Sequence, residues 1–315
     1  MGHSRGHPRR ADHPPAELRE GRVVQHHGAT VIVEDTDGGL FNCNIRKRVG
    51  RVVCGDRVRW QPTAEGQGVV VELLPRHGLL TRPDPRGGAR PLAANIDQIF
   101  VVCAPEPPLS EALIDRYLVA AELAGCAALI LVNKSDLLDA AAREALRERL
   151  AEFEAIGYPL LFVNSRSAEG LAPLRAHTPG RTSILVGQSG VGKSSLVNAL
   201  LPDQAVRVGA LSAASGLGRH TTSDTTLYHL PDGGDLIDSP GVRDFHLWHI
   251  DRSELARGFR EFTPFLGQCR FHNCRHINEP GCAIEQAVES GRISPRRLQS
   301  YRQIYAQLEE AETRF

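Results

Sequence analysis

Three short clusters carry residue types that can do chemistry. The first is Gly187-Gln188-Ser189-Gly190-Val191-Gly192-Lys193-Ser194, which fills every fixed position of the G-x-x-x-x-G-K-[ST] phosphate-binding loop. Its glycines let the backbone N–H groups from Gln188 to Ser195 wrap a polyphosphate with no Cβ in the way. The helix expected from Lys193 onward adds its partial positive end. Lys193 would reach the β- and γ-phosphates and offset charge developing during transfer, and Ser194 would ligate Mg²⁺. The second cluster is Asn133-Lys134-Ser135-Asp136. A carboxylate in a purine pocket accepts from guanine N1–H and N2–H₂, a donor pair that adenine lacks, so Asp136 selects GTP over ATP. The third, Cys269, Cys274, His276 and Cys282, has the spacing C-x4-C-x-H-x5-C. Three thiolates and an imidazole suit tetrahedral Zn²⁺ with no open position, hence a structural site. His272 is a rival fourth ligand by spacing.

Weaker signals surround these. Asp238-Ser-Pro-Gly241 matches DxxG, with Asp238 toward Mg²⁺ and the Gly241 amide toward the γ-phosphate. Between the phosphate loop and DxxG, Gly216-Leu-Gly-Arg-His220-Thr221-Thr222 offers a switch threonine for Mg²⁺, Thr222 first and Thr221 second. Asn164-Ser165-Arg166 would complete the base pocket. The chain has only three lysines (Lys47, Lys134 and Lys193) among 37 basic residues, and two of them fall in these motifs. Val242 stands where many GTPases carry a water-orienting glutamine, which predicts slow intrinsic hydrolysis.

The elements that must position these groups follow from periodicity. Residues 22–25, 30–34, 40–45, 56–61 and 68–74 alternate as short strands, the spacing of an OB-like β-barrel. Residues 75–91 are rich in Pro, Gly and Arg and read as a linker. Apolar strands at 98–103, 127–132, 159–163, 183–186 and 235–237 then alternate with helices at 110–124, 140–156 and 193–201. That alternation predicts a mostly parallel α/β sheet. From residue 253 the chain is helical and charged, ending in a helix over 294–314. The expected domains are a disordered tail over 1–19, the barrel over 20–80, a nucleotide domain over 92–248 and a helical zinc-binding domain over 249–315.

Composition excludes several classes. Formal net charge is zero and 41% of residues are hydrophobic, so any nucleic-acid surface is a local patch and the chain is an ordinary globular one. No apolar run spans a membrane and the first residues lack a secretory core, so a cytoplasmic location is expected. Cys43, Cys54, Cys103 and Cys126 lie singly in apolar stretches, as core thiols do. Ten basic residues stand against four acidic ones between residues 40 and 90, a local +6 that fits either RNA phosphates or a solvated face. Arg296, Arg297, Tyr301, Arg302 and Tyr305 could stack on RNA or pack inward on a helix.

The motif order is unusual. Asn133–Asp136 precedes the phosphate loop and DxxG comes last, yet every motif still sits at a strand end, so one sheet can hold them all. With Ala93-Ala94-Asn95-Ile96-Asp97, Gly218-Arg-His-Thr-Thr222 and Asp238-Ser-Pro-Gly-Val-Arg243, the chain resembles the circularly permuted GTPases, specifically the ribosome small-subunit-dependent GTPase A family (RsgA, also called YjeQ). The resemblance covers roughly residues 20 to 310. It implies a GTP hydrolase acting late in small ribosomal subunit assembly, binding rRNA and stimulated by the subunit. It further implies His220 as the residue that positions water and His276 as the fourth zinc ligand. Asn164 departs from the family's usual serine. A monomer is expected. The alternatives are a non-catalytic RNA-binding scaffold switched by GTP, and a permuted GTPase acting on another RNA or RNP. Because DxxG runs directly into the C-terminal domain, the order also predicts that a nucleotide switch repositions that domain.

Overall fold

The computed structural model describes residues 17–83, 89–201, 225–239 and 250–312. The segments carrying Gly216–Thr222 and Pro240–His249 therefore lie outside the described residues, as do residues 1–16 of the expected tail.

Five strands, β1 (Arg19–His27), β2 (Thr30–Asp35), β3 (Leu40–Ile45), β4 (Arg57–Ala64) and β5 (Gln67–Leu73), close on themselves. β1 pairs with β2 and β4, β2 with β3, β3 in parallel with β5, and β5 with β4. Alternating inward residues Val23, Val31, Val33, Cys43, Val58, Trp60 and Val70 fill the barrel. The expected linker is not structureless. It contains a two-stranded ribbon, β6 (Leu80–Pro83) and β7 (Ala89–Ala93), with Thr81 opposite Pro91. Proline lacks the donor that a central strand needs, but both strands of a ribbon are edges, so its composition hid the pairing.

The α/β unit follows: β8 (Gln98–Cys103), α1 (Glu111–Ala124), β9 (Ala127–Val132), α2 (Ala140–Ile156), β10 (Leu160–Phe162), α3 (Ala168–Arg175), β11 (Thr182–Val186), α4 (Lys193–Leu200), β12 (Thr226–His229) and β13 (Asp235–Asp238). The spatial order is β10-β9-β8-β11-β13-β12, parallel throughout except for the antiparallel edge strand β12. Every side chain of β8 and β11 is buried, as strands covered on both faces require. β12 and α3 were not foreseen. β12 is four residues of an edge hairpin, and α3 carries Pro173, so neither shows a strong period.

The barrel and this sheet are one continuous structure. A bulge between Val23 and Gln25 frees β1 to leave β4 and pair with β12, Gln25 opposite Thr226. One core cluster joins Val24, Ile32 and Cys54 of the barrel to Ile99, Ile184 and Ile237 of the sheet. Polar groups clasp the joint. Arg22 reaches Asp235 and donates to Thr182 Oγ1 at 2.7 Å, while His229 contacts Glu34 Oε2 at 2.7 Å and Asp235 Oδ1 at 2.5 Å. The bond to Asp235, then that to Glu34, raises His229 from 6.5 to about 9 despite the opposing cost of burial. A folded-state value above the unfolded one means that the clasp stabilises fully below about pH 6.5 and is lost as pH rises through about 9. Nearly half of the imidazole is exposed, so solvent screens the effect. The stability gap between the wild type and His229→Gln in low salt is expected to shrink from pH 6.5 to 9.5; a gap constant over that range would refute the clasp.

The C-terminal unit holds 3₁₀ turns at Leu255–Gly258 and Arg260–Phe265, then α5 (Ala283–Glu289) and α6 (Pro295–Glu312). Phe259, Phe262, Ile284, Tyr301 and Ile304 pack with Val119 and Ala120 of α1. Beneath them lies a buried ion cluster. Asp115 of α1 accepts from Arg296 at 2.7 Å and from Arg297 at 2.5 Å, and Arg297 also bonds Glu261 at 2.5 Å. Asp115 and Arg297 are both fully buried. Burial disfavours the Arg297 guanidinium, yet Glu261 and then Asp115 more than offset it and leave its pKa raised. The C-terminal unit is thus anchored on α1, so a switch that repositions it must open this cluster. No helix of the described residues is long and apolar enough to cross a membrane.

Candidate functional site

Because β8, β9, β10, β11 and β13 are parallel, the loops leaving their C-terminal ends share one edge of the sheet. That edge brings together Asn133–Asp136 after β9, Asn164–Arg166 after β10, Gly187–Ser195 after β11, and Asp238 at the end of β13.

The phosphate loop begins at Gly187, whose φ of 144° suits glycine and where a Cβ would stand 2.2 Å from the Val102 carbonyl oxygen. It ends at Gly192, φ 93°, where a Cβ would meet the Asn133 side-chain nitrogen at 2.3 Å. Lys193 is buried, and its Nζ donates to the carbonyls of Gly187 at 2.5 Å and Gln188 at 2.7 Å, which folds the lysine back across its own loop. Ser189, Gly190, Ser194 and Ser195 are exposed around it, Gln188 is half-buried, and Val191 is fully buried.

Asn133 donates through Nδ2 to the Val191 carbonyl at 2.9 Å, tying the Asn133–Asp136 loop to the Gly187–Ser195 loop across 58 positions of sequence. Its Oδ1 is buried and has no hydrogen-bond partner among the described residues. An unmet buried acceptor costs about 1–3 kcal/mol. Lys134 adopts the left-handed conformation, φ 58°, and its Nζ donates to the Glu106 carbonyl at 2.8 Å. Asp136 sits on the 3₁₀ turn Ser135–Leu137, which the Ser135 amide pins to the Val163 carbonyl at 3.1 Å. Asn164 Oδ1 accepts from the Arg166 amide at 2.8 Å, and Ser165 lies between them. Asp238 stands opposite Thr226, beside the strand that feeds the phosphate loop. His220, Thr221, Thr222 and Gly241 lie outside the described residues.

Sequence reasoning missed one neighbour. The loop between β8 and α1 forms a rim: besides Glu106, the Pro108 carbonyl accepts from Gln188 Nε2 at 3.3 Å. Its Pro105-Glu106-Pro107-Pro108 run matches no motif that would mark it in sequence. Arg166, in the stretch expected to complete the base pocket, pairs with the aspartate: its Nη1 donates to Asp136 Oδ2 at 3.0 Å.

In the C-terminal unit the ligand atoms of Cys269, Cys274, His276 and Cys282 lie within 4.8 Å of one another. His276 Nδ1 is 3.5, 3.6 and 3.4 Å from the three sulfurs in turn. Tetrahedral zinc with bonds of about 2.3 Å to sulfur and about 2.0 Å to nitrogen demands an N···S separation of about 3.5 Å, so the donor set fits. His272 is exposed, away from the four. The open choice over the C-terminal strip resolves inward. Tyr301 and Tyr305 are buried, Arg297 is inside the ion cluster and Arg302 pairs with Glu285. Among the described residues of this unit the exposed large aromatic is Phe271, on the loop that carries the cysteines, with the Arg270 guanidinium 5.4 Å from its ring centre. On the barrel, Arg76 is committed to buried Asp56 and Arg59 to Glu20 and Glu72. Arg46, Lys47, Arg48, Arg51 and Arg57 remain exposed, Arg46 and Arg48 beside a groove of about 590 Å³.

Comparison with known proteins agrees with this arrangement. The family model described as RsgA GTPase matches residues 73–248. A relative from Ectopseudomonas mendocina, named small ribosomal subunit biogenesis GTPase RsgA, is 50% identical over 294 residues, 92% of this chain and 86% of its own. One of the same name from Pseudomonas aeruginosa is 49% identical over 292 residues, 93% of this chain and 86% of its own. The crystal structure of YjeQ from Thermotoga maritima superposes with a TM-score of 0.74 at 32% identity, covering 93% of this chain and 99% of that one. YloQ, described as a circularly permuted GTPase, also gives 0.74, at 28% identity over 96% of this chain and 98% of its own. With its motifs, its permuted sheet and these relatives in agreement, the chain belongs to the RsgA GTPase family.

Proposed function

We infer that the protein is a GTPase of small ribosomal subunit biogenesis, which binds the subunit's rRNA and hydrolyses GTP to GDP and phosphate. The observation that carries this reading is the Asn133–Val191 hydrogen bond, which joins the guanine-selecting loop to the phosphate loop despite their reversed order in sequence. The relatives' names supply the subunit.

In this reading Asp136 accepts from the guanine edge, Asn133, Lys134, Asn164 and Ser165 line the base, and Gly187–Ser195 cradle the phosphates. Lys193 exchanges its bonds to the Gly187 and Gln188 carbonyls for the β- and γ-phosphates. Ser194, Asp238 and Thr222 hold Mg²⁺, with Thr221 the second choice and the Gly241 amide on the γ-phosphate. When bound, Mg²⁺ would offset the negative charge of the phosphates. His220 orients the attacking water. Val242 offers no such help, so intrinsic turnover is slow and the small subunit accelerates it. Residues 20–80 serve as the RNA-binding barrel, 92–248 as the nucleotide domain and 249–315 as a domain held by one structural Zn²⁺ on Cys269, Cys274, His276 and Cys282. The exposed arginines of the barrel groove and the Arg270–Phe271 pair offer phosphate and base contacts to RNA. The protein acts as a cytoplasmic monomer.

Two charge-assisted hydrogen bonds to Asp136 predict a preference for GTP over ATP of at least about a hundredfold. Sedimentation with small ribosomal subunits through a sucrose gradient, in the presence of a non-hydrolysable GTP analogue, is expected to carry the protein with the subunit. Preference for ATP, or protein left at the top of the gradient, refutes the reading. Binding to the subunit with no turnover in its presence would identify a scaffold instead.

A further inference from the structure

We propose that Arg166 is an internal competitor for guanine, holding the Asp136 carboxylate in the empty site and setting how tightly the nucleotide binds. The inference rests on Asp136 being the guanine acceptor.

The chemistry of the two donors is alike. Guanine presents N1–H and N2–H₂ on one edge, with C2 between them, and that fragment is itself a guanidine. Arginine presents the same planar arrangement of N–H donors. A carboxylate placed to select guanine is therefore also placed to accept a guanidinium, and Arg166 supplies one from the adjacent loop. Its Nη1 donates to Asp136 Oδ2 at 3.0 Å.

The backbone around this pair is held and the arginine side chain is not. The Arg166 amide is fixed by Asn164 Oδ1 at 2.8 Å, and Ser167 next to it caps α3 by accepting from the Gly170 amide at 3.0 Å. A Cβ on Gly170 would meet the Asn164 carbonyl oxygen at 2.6 Å, so α3 and the base loop are in close contact. Asp136 is likewise pinned through its turn. The Arg166 side chain, by contrast, is 77% exposed and makes one hydrogen bond to the carboxylate where a fork could make two. Such a contact forms without strain and gives way without unfolding anything. It occupies the acceptor that guanine needs, so each binding event must displace it.

Exposed ion pairs contribute little, and that fixes the size of the effect. Removing the competitor is expected to tighten guanine-nucleotide binding about two- to fivefold. Salt weakens the internal pair, so the gain is largest at low ionic strength and shrinks as salt rises.

The test is titration of the full chain with fluorescent GDP and Mg²⁺, comparing the wild type with Arg166→Ala and Arg166→Gln at low and high salt. Both variants are expected to bind more tightly, with the gain diminished at high salt. A control uses Asp136→Asn, whose amide donates to the C2 carbonyl of xanthine and attracts a guanidinium far less. Adding Arg166→Ala to it is expected to leave the affinity for xanthosine diphosphate unchanged. Equal or weaker GDP binding by the Arg166 variants overturns the proposal, and weaker binding would make Arg166 a contact of the nucleotide. A wild type that binds no guanine nucleotide refutes the reading of the site itself, so the two failures are told apart.

Discussion

Stripping the metal from the Cys269–Cys282 cluster, or changing Cys282 to serine, is expected to unfold the C-terminal unit and leave the barrel and α/β sheet standing. The four ligand side chains span fourteen residues with no strand and no helix until α5 begins at Ala283. Within it the Glu279 carboxylate gathers the amides of Arg275, Ile277 and Asn278, but no regular element adds to what those turns and the four donors hold. Burial pushes the Cys274 thiol up to about 12 and raises that of Cys282 as well, so without a cation these two remain neutral. A structural zinc contributes on the order of 10 kcal/mol in small metal-folded units, more than such a short segment recovers from its apolar contacts. The loop also supports its neighbours: Tyr301 of α6 donates to the Arg275 carbonyl at 2.7 Å, and its ring lies 6.1 Å from that of His276. Chelation should therefore expose α5 and α6 to hydrogen exchange and protease while β8 to β11 stay protected. Purified protein is expected to hold one equivalent of zinc. Less than half an equivalent, or unaltered exchange in α6 after chelation, would remove the structural metal from the account.

Asp115→Ala is expected to cost about 3–5 kcal/mol at the joint between α1 and α6. The mutation leaves Arg297, fully buried, with Glu261 alone, and takes from Arg296 the partner that it holds through two nitrogens, at 2.7 and 3.2 Å. The cost lies in the stranded guanidinium rather than in the value of the pair, because burying two opposite charges nearly cancels the attraction between them. That distinction is measurable. Replacing Asp115 and Arg297 together by Leu and Met, in a Glu261→Gln background so that no carboxylate is stranded in turn, should recover much of the loss, although Arg296 keeps only Glu152. Exchange of α6 amides reports the joint directly and avoids treating a multidomain unfolding as two-state. A single substitution costing under about 1 kcal/mol, or a double one no better than the single, would show that the cluster does not hold the domains together.

Much of the architecture was legible along the chain because it rests on local rules. Strands β3, β8 and β9 and helix α2 fall on the residues that periodicity indicates, since buried parallel strands and charged helices carry strong patterns. Elements set by long-range pairing were less visible. β12 exists because β1 and β13 flank it, and the ribbon of β6 and β7 pairs despite its prolines.

The sequence by itself determined the chemistry. The phosphate-loop motif, the aspartate proposed to select guanine, the four candidate metal donors and the permuted order are all legible in residue type and spacing, because each proposed function demands particular atoms at short separations. Only the tertiary structure decided which surfaces remain for partners. Tyr301 and Tyr305 turned inward, Arg297 and Arg76 went to buried carboxylates, and Arg166 came to rest on Asp136. A charge or a ring in sequence has no direction, and its burial depends on groups tens to hundreds of residues away. Those partners are found only when the chain closes.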